Sequence, residues 1–113
     1  MTLCDRILAA DKRIGFAMMV DETGEIVEMK TRGVLLMPKK DIAAFAGIWT
    51  SVMGGVSQRM QKYFGNQSGL SIFYEKLNIH GLPVGHRTIV ITATKDVPHE
   101  ILLTLRQIAQ TEL

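Results

Sequence analysis

The stretch PKKDIAAFAGIWTSVMGGVSQRMQKYFG, residues 38–65, decides how the rest of the chain must be arranged. Ile42, Phe45, Ala46, Trp49, Val52, Met53, Val56, Met60 and Phe64 recur at three-and-four spacing, which predicts one long helix with a buried apolar face. Pro38 suits its first position, and Asp41 in the opening turn opposes the positive end of the helix dipole. Gly65-Asn66-Gln67-Ser68-Gly69 then stops it with residues that tolerate left-handed backbone.

A second stripe, on a flank of the first, is made of small residues: Ala44, Gly47, Ser51, Gly54 and Gly55. Glycine inside a helix costs about 0.5–1 kcal/mol relative to alanine, so the stripe calls for a reason. Close approach of another backbone supplies one, and an antiparallel second copy could dock there with two-fold symmetry. A kink, or a crowded crossing over the domain's own strands, is the intramolecular alternative.

Working outward, Leu3, Ile7 and Leu8 predict a short first helix ending by Lys12 or Arg13. Ile14 to Val20 is almost wholly apolar, as in a strand covered on both faces. Asp21-Glu22-Thr23-Gly24 reads as a hairpin turn into a half-exposed edge strand from Glu25 to Lys30, followed by a loop over Thr31 to Met37. Downstream, strands are expected over Leu70–Glu75, Leu77–Val84 and Thr88–Thr94, the last central because Ile89-Val90-Ile91 does not alternate. Pro98 opens a closing helix with the face Ile101, Leu102, Leu105, Ile108 and Ala109.

The order α-β-β-α-β-β-β-α, with two strands buried on both faces, needs a helical layer on each side of the sheet. The expected fold is a five-stranded antiparallel sheet of α/β (α+β) class between one long central helix and two short terminal helices. Residues 1–113 are read as a single domain, long enough to bury its own core. A helix of ~26 residues is about 39 Å long, whereas five strands span only about 24 Å, so the helix should overhang its sheet.

The element order, together with Ile7-Leu8-Ala9-Ala10-Asp11-Lys12-Arg13-Ile14-Gly15-Phe16-Ala17-Met18-Met19-Val20-Asp21-Glu22-Thr23-Gly24, resembles the roadblock (dynein light-chain roadblock) superfamily within the profilin-like and longin-like group. Ser71-Ile72-Phe73-Tyr74 through Thr94-Lys95-Asp96-Val97-Pro98-His99 is similar to small roadblock-like proteins of ammonia-oxidising archaea. The resemblance implies dimerisation through the long helix and the strand after it. It also implies a regulatory scaffold without catalytic residues, with a small Ras-like GTPase as candidate partner. Combined with the small-residue stripe, it places the dimer interface at Ala44, Gly47, Ile48, Ser51, Gly54, Gly55, Gln58, Ser71 and Phe73. The glycine-rich long helix and the short first helix depart from better-known members.

Chemistry-bearing residues are sparse. Cys4 lies near a helix start, where thiols can be activated, but no His–Asp pair accompanies it, so no catalytic residue is assigned. His80, His86 and His99 lack metal-ligand spacing; each is expected to be solvated, His80 pointing outward from its strand, and no metal or cofactor is expected. Asp21, Glu22 and Glu25 are explained by turn chemistry. Lys and Arg number 13 against 11 acidic residues and aromatics make up only 6%, so nucleic acid is not an expected partner.

No apolar run reaches the ~18–20 residues of a membrane span, and a lone cysteine fits a reducing compartment, so a cytoplasmic location is expected. The leading expectation is a non-enzymatic homodimeric interaction domain in signalling or complex assembly. The alternative is a small-ligand sensory domain, with a pocket beneath the long helix lined by Phe16, Met18, Trp49 and Met53.

Overall fold

A computed structural model describes residues 1–33 and 37–112. Its elements are α1 (Leu3–Ala10), β1 (Ile14–Val20), β2 (Ile26–Thr31), α2 (Lys39–Phe64), β3 (Leu70–Phe73), β4 (Asn78–Val84), β5 (Arg87–Ala93) and α3 (His99–Glu112). The five strands form one antiparallel sheet in the order β2-β1-β5-β4-β3, so the expected fold class, element order and pair of central strands are observed. Val34 to Leu36, within the expected loop, lie outside the described residues.

Each face of the sheet carries its own core. Beneath α1 and α3 lie Ile14, Ala17, Met19, Leu82, Val84, Ile89 and Ile91, packed on Leu3, Ile7, Leu105 and Ala109. Beneath α2 lie Phe16, Met18, Val20, Ile79 and Val90, packed on Ile42, Ala46, Trp49 and Met53. Ile14 and Phe16 are two residues apart yet face opposite layers, because the β1–β5 register slips between them. One extra residue in a strand exchanges the faces of everything beyond it.

The helix ends differ in detail from expectation. Thr2 and Asp5 form a reciprocal capping box at α1, a signal the apolar spacing does not reveal. No basic residue lies in the last turn of α1; Arg13 instead places its Nη2 2.7 Å from Oδ2 of Asp11. Pro38 is the N-cap of α2, one position before the helix proper. Gly65 closes α2 at φ 80° and donates its N–H to the Gln61 carbonyl at 2.8 Å.

The direction of α2 positions everything functional. Ile42 and Phe45 lie near Thr31, Ile79 and Thr92, at one end of the strands. Gly54 and Ser57 lie near the β4–β5 turn at Gly85–Arg87, at the other end. The helix therefore runs lengthwise over the strands and projects past the hairpin turns, and no α2 residue after Met53 is buried.

Candidate interaction surface of the long helix

Only the first half of the apolar stripe is core. Ile42, Ala46, Trp49 and Met53 are buried, whereas Val52, Val56, Met60 and Phe64 are exposed, Phe64 to 78%. This corrects the expectation of one continuous buried face. Val56, Met60 and Phe64 keep the helical phase of Trp49 and Met53, but the sheet has ended beneath them.

The three glycines of the helix prove to have three different surroundings. A Cβ built on Gly24, in the β1–β2 turn at φ 91°, would lie 3.3 Å from the Cα of Gly47, so the hairpin abuts the helix there. Gly54 borders an open polar cleft of about 510 Å³ between α2 and the two hairpin turns, shared with Thr50, Ser57, Asp21, Glu22 and Arg87. An added Cβ at Gly54 or Gly55 would meet nothing within 4 Å. Beside Gly55 on the outer face stand Ala44, Ile48, Ser51 and Gln58, all exposed, with Ile48 at 64%. Asp41 and Lys62 extend the same three-and-four stripe at its two ends.

Ser71 and Phe73 do not share a face with this stripe. Leu70 and Ile72 pack towards α2, which turns the alternate residues of β3 to the α3 side. Phe73 is 71% exposed there. The Ser71 hydroxyl lies 2.7 Å from Nδ1 of His80. What β3 offers a neighbour in line with α2 is its unpaired backbone edge.

His80 is itself a correction. It is only 6% exposed rather than solvated, because its position on β4 faces the layer covered by α3. Burial, and after it the nearby His99, lower its pKa. His86 is exposed at its turn, with Nδ1 3.7 Å from a carboxylate oxygen of Glu22. Asp21 does what turn chemistry expects: its Oδ1 accepts from the Thr23 N–H at 2.8 Å and the Glu25 N–H at 3.1 Å.

Cys4 is fully buried and points away from nucleophilic chemistry. Desolvation first, and then the neighbouring Glu28, push its thiol well above the ordinary range. Glu28 is held by the Cys4 backbone N–H at 2.7 Å, a carboxylate at the positive end of α1. Among the described residues no cluster of three or more His, Cys, Asp or Glu could hold a metal ion. The space beneath α2 beside Phe16, Ile42 and Phe45 measures about 30 Å³, room for about one water; Met18 and Trp49 are packed core, while Met53 borders the 510 Å³ cleft at the hairpin turns. The four residues expected to line one ligand pocket are thus divided between a small apolar space, the packed core and the open cleft.

No family model matches the chain, and no curated protein matches it by sequence. Solved structures do match. A roadblock/LC7 domain from Streptomyces avermitilis superposes with TM-score 0.78 at 7% identity, over 97% of this chain and 90% of that one. MglB from Myxococcus xanthus gives 0.79 at 14%, over 97% and 87%. A further MglB structure, with a tetrameric arrangement, gives 0.72 at 13%, over 98% and 88%. Profilin II of Acanthamoeba castellanii gives 0.65 at 6%, over 99% and 94%. The chain has the roadblock/LC7 fold, within the wider profilin-like architecture. No described helix is long and apolar enough to cross a membrane.

Proposed function

We propose that the chain is a non-enzymatic interaction domain that acts as a homodimeric scaffold in signalling or complex assembly. The observation that carries this reading is the outer face of α2, where the exposed Ile48 and the open, side-chain-free position at Gly55 lie two turns apart on one stripe. In an antiparallel pair centred between Ser51 and Val52, Ile48 of each copy enters the notch at Gly55 of the other. The same register sets Asp41 opposite Lys62 at both ends of the contact, so shape and charge match together. Ala44, Ser51 and Gln58 complete the stripe, and the free edge of β3 lies alongside to join the two sheets. MglB, which shares the fold, has been solved with a tetrameric arrangement, which supports self-association.

The dimer would offer a composite surface to a protein partner. A small Ras-like GTPase is the class to try first, on the strength of the family resemblance. Light scattering of the wild type against Gly55→Arg tests the reading. A Cβ at this exposed position meets nothing within 4 Å, so the arginine side chain has a clear start into solvent and should fill the notch without disturbing the core. The wild type should show twice the 12.6 kDa chain mass and the variant a single chain. A monomeric wild type, or a variant of unchanged mass, overturns it.

A further inference from the structure

On the opposite side of the sheet from α2, a cleft of about 410 Å³ lies between the β3–β4 strands and α3. Helical spacing brings His99, Leu102, Leu103 and Arg106 to the side of α3 that overlooks it, and Ser68 and Ser71 contribute to the facing wall. Its electrostatics are one-sided. Arg106 and His99 are the ionisable residues among the described lining, and no carboxylate joins them. Glu100, next to His99 in the chain, does not border the cleft.

The donors there are largely uncommitted. Arg106 is half-buried and gives one N–H to the Ser68 carbonyl, and no described carboxylate forms an ion pair with it. A guanidinium carries five N–H donors in a planar fork suited to oxyanions. Ser71 is held at the wall by its 2.7 Å contact with the buried His80; when the His80 proton sits on Nδ1 the Ser71 oxygen accepts it, which leaves the hydroxyl proton for a ligand. Leu102 and the 49%-exposed Leu103 add apolar surface beside these groups.

We propose that this cleft binds a small organic oxyanion, a phosphate or carboxylate head on an apolar body. The head sits between Arg106, His99 and Ser71, and the body lies along Leu102 and Leu103. The site needs no second copy of the chain, so it stands or falls apart from the dimer.

The test is an NMR titration of the full chain at neutral pH with phenyl phosphate, benzoate and neutral benzyl alcohol. Saturable shifts at Ser71, His99 and Arg106 with phenyl phosphate or benzoate support the site, and the better ligand identifies the head group. Arg106→Gln should weaken binding by about tenfold, the loss expected for a charged hydrogen bond, and His99→Gln by about threefold, that of a neutral one. His99 is exposed in the first turn of α3, so His99→Gln remains informative if Arg106→Gln unfolds. The proposal is overturned by equal binding of benzyl alcohol, by unchanged affinity in folded variants, or by no saturation with either anion below about 10 mM.

Discussion

The indole of Trp49 occupies the space that a side chain at Gly81 would need. A Cβ built on Gly81 would lie 2.6 Å from both Nε1 and Cε2 of the ring. The long helix is thus seated on the sheet by one large residue above one absent side chain. Phe45 meets the indole edge-on at 5.5 Å, and Nε1 donates to the Met53 sulfur at 2.6 Å.

Gly81→Ala should therefore destabilise the fold by about 1–3 kcal/mol, the cost of overpacking against a rigid ring. Urea unfolding followed by the fluorescence of Trp49 would show a lower midpoint at unchanged slope. An unmoved midpoint would mean the indole can shift away without penalty.

Reversing a charge at one end of α2 tests the register of the proposed dimer. Lys62→Asp places like charges opposite Asp41 at two exposed sites, each worth about 0.5 kcal/mol, and should weaken dimerisation about fivefold. Adding Asp41→Lys should restore the affinity. Sedimentation equilibrium of the three proteins reads this directly, and a double variant no better than the single one rejects the register.

His80 gives the stability a pH dependence whose sign follows from burial. Its folded pKa lies below the usual histidine value, so the unfolded chain takes up the proton first. Stability is fully present above about pH 6.5 and declines as the pH falls below it through the folded value. Denaturant midpoints measured from pH 8 to 5 should fall in the wild type and fall less steeply in His80→Gln. Equal slopes would place the titration elsewhere.

Cys4, buried and with its thiol pKa raised, should resist an aromatic disulfide reagent at neutral pH in the native state. One thiol per chain should react once denaturant is added. Fast modification without denaturant would show that α1 lifts readily from the sheet.

Element order and layering were legible because they rest on contrasts within the chain. Ile14–Val20 and Ile89–Ile91 lack polar alternation and became the central strands β1 and β5, and the Glu25–Lys30 pattern became the edge strand β2. Periodicity names a helical stripe but not the length of sheet beneath it, which is why Val56, Met60 and Phe64 were expected in the core. Alternation also leaves open which layer a strand residue meets. On spacing alone His80 therefore reads as an outward residue and Ser71 and Phe73 as neighbours of the outer face of α2, whereas all three belong to the α3 side. The separate neighbours of Gly47, Gly54 and Gly55 depend on where two hairpin turns arrive in space, and local spacing carries no trace of that.

The final turns of α2, from Gly54 to Phe64, bury no side chain in their own subunit. Short helical segments hold together poorly in water when no tertiary contact supports them. In a solitary chain these turns should unravel readily, and pairing would rewind them. Ellipticity at dilute concentration would then be lower than at high concentration, making the length of this rod a gauge of whether the subunit has found company.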